Sequence, residues 1–189
     1  MEPAMKDVSV LAAGLMAAAM RTAPKAGGKD FLEIAVISDE ADLARIANAM
    51  RDFAPRSTNE AYWLRDADNI AQCHAVVLVG LRASPAAGYD CGACGHESCK
   101  AFLAARGQQP DFAREMGYGG PHCVMRIIDI GCALSSAAKA ASLLSIDNRV
   151  QQRVGAAARV LGIIKADVVM GVPVGIYGKS IFHDRPSRK

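Results

Sequence analysis

The chain has 189 residues, of which 51% are hydrophobic and 22% charged, and its formal net charge is +3. This is the composition of an ordinary globular protein, and it excludes a disordered or fibrous chain. The basic residues are scattered rather than arranged in stripes, so we expect no nucleic-acid-binding surface.

The N-terminal segment does not have the pattern of a secretory signal. Glu2 places an acid near the start, and the apolar residues that follow recur with a helical period. No stretch reaches the roughly 18 consecutive apolar residues that a membrane-spanning helix needs. We therefore expect a cytoplasmic protein that does not bind a membrane.

The first predicted element is a buried helix over residues 7–20. Val8, Leu11, Leu15 and Ala19 recur at helical spacing and form one stripe. The helix is broken before the next element by a proline and a pair of glycines.

Alternating strands and helices follow. Residues 31–37 predict a strand, and a helix runs from an N-cap at Ser38 to about Phe53. Residues 59–72 predict a third helix. Residues 75–81 form an apolar run of strand length, which we expect to be buried on both faces.

The middle of the chain contains a long segment with few periodic signals. Residues 82–122 are rich in Gly, Pro and Cys, with one short helix predicted over about 98–106. So long a loop inside a compact domain is usually functional. We therefore predict a single domain over 1–189 that includes a cysteine-rich segment, 82–123, and regular structure resumes with a helix over 124–144.

The remaining elements are a helix and a strand. Asp147 or Asn148 is expected to cap a helix over about 149–161. Residues 166–172 predict a last core strand, which Pro173 is expected to end.

Cysteine spacing is the strongest functional signal. Of the six cysteines, four crowd into a 33-residue window, at Cys91, Cys94, Cys99 and Cys123. Without a secretory signal, such spacing more often indicates a metal site than disulfides. Four thiolates converging on one small volume are what a [4Fe–4S] cluster requires.

The residues around these cysteines support the same interpretation. Gly92 and Gly95 allow the backbone to wrap tightly, with positive φ where needed, and bring N–H groups toward the sulfurs. They are therefore candidate cofactor-binding residues. Cys99 is expected in the first turn of the short helix, whose positive dipole end favours an anionic cluster.

Two other interpretations of the cysteines remain open. Zinc also accepts four cysteines, although two pairs of matched spacing are more typical of zinc than three clustered cysteines and a remote fourth. A thiol-rich loop without metal is the other alternative.

A second, weaker motif lies near the C-terminus. Gly178-Lys179-Ser180 ends like a phosphate-binding loop, but Pro173 stands where its first glycine belongs, and too few residues remain for the helix that such a loop opens. This excludes nucleotide hydrolysis. Lys179 is kept as a candidate contact for a cofactor phosphate, with a plain surface turn as the alternative.

Nearly the whole chain resembles the ferredoxin-domain-containing proteins of bacteria and archaea. The resemblance rests on the cysteine motif and on several short blocks, at residues 21–28, 120–123, 129–131, 146–150 and 166–173. It implies an iron–sulfur site on the four matching cysteines.

The order of elements is also similar to that of flavin-dependent nitroreductases. That similarity implies a nitroreductase-like fold in which two intertwined subunits bind FMN at their interface, with residues 82–122 as a cluster-bearing insertion.

Together these observations predict an α+β protein with a mixed or antiparallel central sheet wrapped by helices, forming a homodimer. The expected function is electron transfer through the cluster, to or from a redox partner protein or a small-molecule donor or acceptor. The alternatives are an FMN-dependent oxidoreductase and a structural zinc protein.

Overall fold

The computed structural model describes residues 3–83, 85–107 and 118–183. In chain order its helices and strands are α1 (Pro3–Thr22), β1 (Leu32–Ile37), α2 (Glu40–Phe53), α3 (Glu60–Gln72), β2 (Ala75–Leu81), α4 (Cys99–Gly107), α5 (Val124–Leu143), β3 (Asp147–Asn148), α6 (Gln152–Val160) and β4 (Val168–Gly175).

The four strands form one antiparallel sheet in the order β1-β2-β4-β3. At one end of the sheet Leu81 is paired with both Leu32 and Val168, and at the other end Ala75 is paired with Val174. The predicted α+β class with an antiparallel central sheet is therefore confirmed.

Strand β2 forms the centre of the core, and all seven of its residues are buried. On one face of the sheet, Val77, Val79 and Leu81 pack in a core shared with α1 and α5. On the other face, Val76 and Leu78 pack in a core shared with α2, α3 and α6. Because both faces are covered by helices, the strand is a continuous apolar run rather than an alternating one.

Helix α1 packs on a different stripe from the predicted one. Its buried apolar positions are Ala12, Ala13, Met16 and Met20, whereas the stripe of Val8, Leu11 and Leu15 is exposed. Almost every residue between positions 8 and 20 is apolar or small, so periodicity alone does not decide which stripe faces the sheet.

Two predicted helix caps were wrong. Asp39, not Ser38, is the N-cap of α2, and its carboxylate accepts hydrogen bonds from the N–H groups of Ala41 and Asp42. Residues 147–148, predicted to cap a helix, instead form β3 beside β4. The helix that follows starts only at Gln152.

Pro173 does not end the last strand, because β4 continues to Gly175. The carbonyl of Pro173 accepts a hydrogen bond from the backbone N–H of Arg149, on the side of β4 that faces β3. Backbone groups of one residue point to the same side of an antiparallel strand, so the missing N–H of Pro173 faces that short edge and not β2.

Within the described ranges, none of the helices is both long and apolar enough to cross a membrane.

Candidate iron–sulfur site

The three-cysteine segment is shaped by two glycine turns. Gly92 has φ +69° and Gly95 has φ +83°, in the left-handed region that favours glycine. The N–H of Gly95 donates to the carbonyl of Gly92 over 2.9 Å, which closes a tight turn around Cys94. The conformation expected of both glycines is therefore present, while their contact with a cofactor stays a prediction.

Asp90 closes this segment into a loop. It has φ +46°, and its Oδ1 accepts a hydrogen bond from the backbone N–H of Cys99 over 2.6 Å. Asp90 precedes Cys91, so this bond joins the two ends of the nine-residue motif. Sequence reasoning missed Asp90, although a short acidic residue next to a cysteine motif is a common partner for free N–H groups at a helix start.

Cys99 is the first residue of α4, as predicted. The hydroxyl of Ser98 accepts a hydrogen bond from the N–H of Ala101 over 3.1 Å and so caps the helix. Cys99 therefore lies where free backbone N–H groups and the positive end of the helix dipole are found.

Cys123 lies on a second segment, at the N-cap position of α5. It follows a turn that contains a cis peptide bond between Gly120 and Pro121. Cys123 is buried, whereas Cys91 is exposed and Cys94 and Cys99 are half-buried. All six cysteines of the chain are free thiols.

Arg106 connects the two segments. From the last turn of α4, its guanidinium donates to the carbonyl of Pro121 over 3.1 Å and contacts Nδ1 of His122 at 3.3 Å. It also forms an ion pair with Asp167 at 2.7 Å. Burial and the neighbouring Arg106 charge lower the pKa of His122, which favours the neutral imidazole next to Cys123.

The turn at residues 25–29 lies between the cysteine loop and α5. A side chain at Gly27 would place its Cβ 3.1 Å from the hydroxyl of Tyr89, just before the cysteine loop. From α5, Asp129 accepts a hydrogen bond from the N–H of Ala26 over 2.8 Å, and Arg126 donates to the Ala26 carbonyl over 3.0 Å. This turn, which overlaps one of the blocks of the predicted family resemblance, therefore lies next to Tyr89, just before the cysteine loop, and against α5, which follows Cys123.

Arg126 and Asp129 form a buried ion pair at 2.9 Å. Arg126 is 1% exposed, and its guanidinium also stacks over the ring of Phe31 at 4.8 Å. Neither residue was identified as important from the sequence. The available signal was an Arg and an Asp three residues apart in the first half of a helix whose other residues there are small or apolar.

Lys179 is not brought to the cysteines. Asp167, which Arg106 contacts, precedes β4, whereas Lys179 is exposed in the segment after it. The eight residues of β4 separate these two positions by roughly 25 Å at about 3.3 Å per residue. The predicted phosphate contact of Lys179 would therefore lie at the other end of the sheet from the cysteine loop.

The four cysteines are not gathered at one point. Throughout the part of the chain that the structure describes, no group of three or more His, Cys, Asp or Glu side chains could hold a metal ion. Three of the cysteines lie on the loop before α4 and at the first residue of that helix. The fourth, Cys123, lies on a separate segment at the start of α5.

Solved structures with a similar fold include nitroreductases and a flavoprotein. A nitroreductase with bound FMN from Desulfitobacterium hafniense DCB-2 has a TM-score of 0.58 and 12% identity, over 91% of this chain and 80% of that one. A BluB-like flavoprotein from Clostridium difficile 630 has a TM-score of 0.58 and 14% identity, over 97% of this chain and 86% of that one. The fold is therefore nitroreductase-like, as predicted.

Sequence comparison gives the family. An uncharacterized protein from Archaeoglobus fulgidus is 40% identical over 179 residues, which are 95% of this chain and 92% of that protein. Residues 119–185, which include Cys123, match the family described as "Uncharacterized protein containing a ferredoxin domain" (DUF2148). The chain belongs to this family of ferredoxin-domain-containing proteins.

Proposed function

We propose that this protein binds a [4Fe–4S] cluster through Cys91, Cys94, Cys99 and Cys123 and transfers single electrons. The donor or acceptor is a redox partner protein or a small molecule. The observation that carries the proposal is the conformation of the cysteine loop, which presents three thiols on a chain shaped by two glycine turns and closed by Asp90. Membership of a ferredoxin-domain family supports it.

The chemistry of the site suits such a cluster. Thiolates are the ligands that iron–sulfur clusters use, and the cluster supplies reversible one-electron chemistry when bound. Two of the cysteines lie at helix N-termini, Cys99 in α4 and Cys123 in α5. Both positions offer free N–H groups and a positive dipole end to an anionic group.

Assembly of the site requires the loop to move toward α5. Cys123 is held by the folded core, where it is 5% exposed, whereas Cys91 is exposed on the loop. Metal binding commonly couples to local folding, because ligands that are apart before binding converge on the metal. Arg106 keeps the far end of α4 against the turn before Cys123, so one end of the helix that follows the loop is already fixed near the fourth ligand.

The role of Asp90 provides a test of this proposal. Anaerobic reconstitution with iron and sulfide is followed by absorbance for wild type, Asp90→Asn and Asp90→Ala. Asp90→Asn keeps an oxygen that accepts the Cys99 N–H and should load nearly as well as wild type. Asp90→Ala leaves the loop open and should load at most about a third as much, since one hydrogen bond is worth roughly 1 kcal/mol. Asp68→Ala, on α3, is the remote control.

Reduction of the loaded protein tests the electron-transfer part. A paramagnetic resonance signal of one spin per cluster after reduction with dithionite supports it. Wild-type protein that takes up zinc but neither iron nor sulfide contradicts the proposal and favours the structural zinc alternative.

A second candidate function, FMN-dependent oxidation and reduction, is favoured by the fold alone. A nitroreductase with a similar fold is described with bound FMN. However, two of the cations that precede the Gly27 turn are engaged within the chain. Lys25 donates to the carbonyls of Met20, Arg21 and Ala23 at the end of α1, and Arg21 forms an ion pair with Asp30 at 2.6 Å. Titration with FMN, followed by quenching of flavin fluorescence, tests this candidate.

We also propose that the protein is a homodimer joined through the outer face of α1. Val8, Leu11 and Leu15 are 47%, 66% and 48% exposed on this face. No charged residue occurs between positions 8 and 20, so a second copy related by two-fold symmetry meets no like charge there. Light scattering should give a dimer mass for wild type and a monomer mass for Leu11→Glu. A wild-type monomer mass contradicts the proposal.

A further inference from the structure

A cavity of about 780 Å³ lies at the end of the sheet away from the cysteines. It is bounded by α2, by the junction between α3 and β2, and by the segment after β4. Its walls are largely apolar, with contributions from Leu43, Ala47 and Ile181. This volume and lining are typical of sites that bind small organic molecules.

His74 is the buried polar residue in the cavity wall. It is 2% exposed, and its Nδ1 lies 2.7 Å from the hydroxyl of Ser9. Its Nε2 is buried and has no hydrogen-bond partner among the residues that the structure describes. A buried polar atom without a partner is uncommon in folded proteins, and a bound water or ligand commonly fills that role.

The hydrogen bonds of Ser9 determine which ring nitrogen carries the proton. The single hydroxyl hydrogen of Ser9 is donated to the carbonyl of Met5 over 2.9 Å. The Ser9 oxygen therefore accepts from His74, whose proton is on Nδ1, and Nε2 is left as a bare acceptor. Burial and the Lys6 charge lower the pKa of His74, so the ring stays neutral at neutral pH.

The charges around the cavity are already paired. Lys6 forms an ion pair with Glu40 at 2.6 Å, and Arg51 forms one with Asp68 at 2.9 Å. An anionic ligand would have to compete with these carboxylates, so the cavity is better suited to an uncharged molecule.

An aromatic side chain forms the wall next to His74. The Tyr177 ring centroid lies 5.0 Å from that of His74, and the Tyr177 hydroxyl donates to the carbonyl of Gln72 over 2.8 Å. Tyr177 therefore does not satisfy Nε2, but its ring offers a flat surface to a ligand. Tyr177 is half-buried in the cavity wall.

From this geometry we propose that the cavity is a binding site for a small uncharged aromatic alcohol, whose hydroxyl donates a hydrogen bond to Nε2 of His74. The aromatic ring of this ligand lies against Tyr177 and the apolar wall. The site is independent of the proposed cluster, because β2 separates His74 from the cysteine loop by roughly 20 Å.

The test uses phenol as the probe and anisole, which has a similar ring but no hydroxyl hydrogen, as its matched control. Nitrogen-15 NMR of the His74 ring in the full-length protein reports on Nδ1 and Nε2 separately. Phenol should shift the Nε2 resonance in a saturable manner, and anisole should leave it unchanged. In ligand-free protein, Nδ1 should carry the proton.

Variants test the contribution of each side chain. Ser9→Ala removes the acceptor that fixes the proton on Nδ1, and it should weaken phenol binding roughly three- to tenfold, the effect of one hydrogen bond. His74→Phe should reduce phenol binding to the level of anisole. Lys139→Ala, on the opposite face of the sheet, is the control and should bind phenol as wild type does.

Three results would overturn the proposal: equal binding of phenol and anisole, no saturable shift at His74 in wild type, or unchanged phenol affinity in Ser9→Ala. If His74→Phe does not fold, the comparison of phenol with anisole and the phenol affinity of Ser9→Ala still test the proposed binding site. None of these results depends on iron or sulfide, so they do not bear on the proposed cluster.

Discussion

Replacing Asp129 with alanine tests whether the buried ion pair on α5 holds the turn at residues 25–29. Asp129 is 3% exposed, pairs with Arg126 at 2.9 Å and accepts the Ala26 N–H over 2.8 Å. Its removal leaves a buried guanidinium without its counter-charge and a backbone N–H without its acceptor. Breaking a buried pair from one side costs about 3–5 kcal/mol.

This cost translates into a large change in thermal stability. For a chain of this length, each kcal/mol lowers the Tm by roughly 2–4 °C, so Asp129→Ala should unfold about 6–20 °C below wild type in a calorimetric scan. Asp42→Ala is the matched control, since Asp42 also pairs with an arginine three residues away, at 2.6 Å, but on the surface. It should cost at most about 1 kcal/mol.

Equal Tm values for the two variants would refute this reasoning, because both pairs have i,i+3 spacing but only Asp129 is buried and also accepts a backbone N–H. Asp129→Ala also tests the candidate iron–sulfur site. With the turn released from α5, the loop that contacts Gly27 through Tyr89 loses its support, and cluster reconstitution in Asp129→Ala should fall below that of Asp42→Ala.

Two further predictions concern packing and thiol reactivity. A Cβ on Gly155 would overlap the carbonyl of Val169 in β4, so Gly155→Ala should cost about 2–3 kcal/mol in urea unfolding, whereas Gly14→Ala, with open space around it, should be neutral or slightly stabilising. In cluster-free protein, mass spectrometry after brief iodoacetamide treatment should find Cys91, which is exposed, modified well before Cys73, because burial raises the pKa of Cys73 to about 12. Earlier modification of Cys73 would contradict the described burial.

Strong local patterns allowed much of the fold to be predicted from the sequence. The apolar run at residues 75–81 coincides with β2, and Trp63, Ala67 and Ile70 are buried on one face of α3. The errors occurred where the local sequence pattern fitted more than one arrangement, or where pairing between strands overrode it. Helix α1 is apolar around most of its surface, and Pro173 is tolerated in β4 because its missing N–H faces a short edge strand.

The candidate ligands of the site stand out in the sequence, but the residues that support them do not. The cysteine spacing and the glycines are local features, which a sequence pattern records directly. Arg106, Arg126 and Asp129 act through partners 15 to 103 positions away along the chain. Such contacts depend on the packing of α4, α5 and the turn at residues 25–29, which no local pattern specifies.

The most direct test of the proposed cluster is the iron and acid-labile sulfide content of anaerobically prepared wild type and Cys94→Ala. The account predicts about four irons and four sulfides per wild-type chain, with a broad visible absorbance band, and their loss in the variant. Wild-type protein without iron or sulfide, or a variant that retains both in full, would contradict the proposal that these cysteines hold an iron–sulfur cluster.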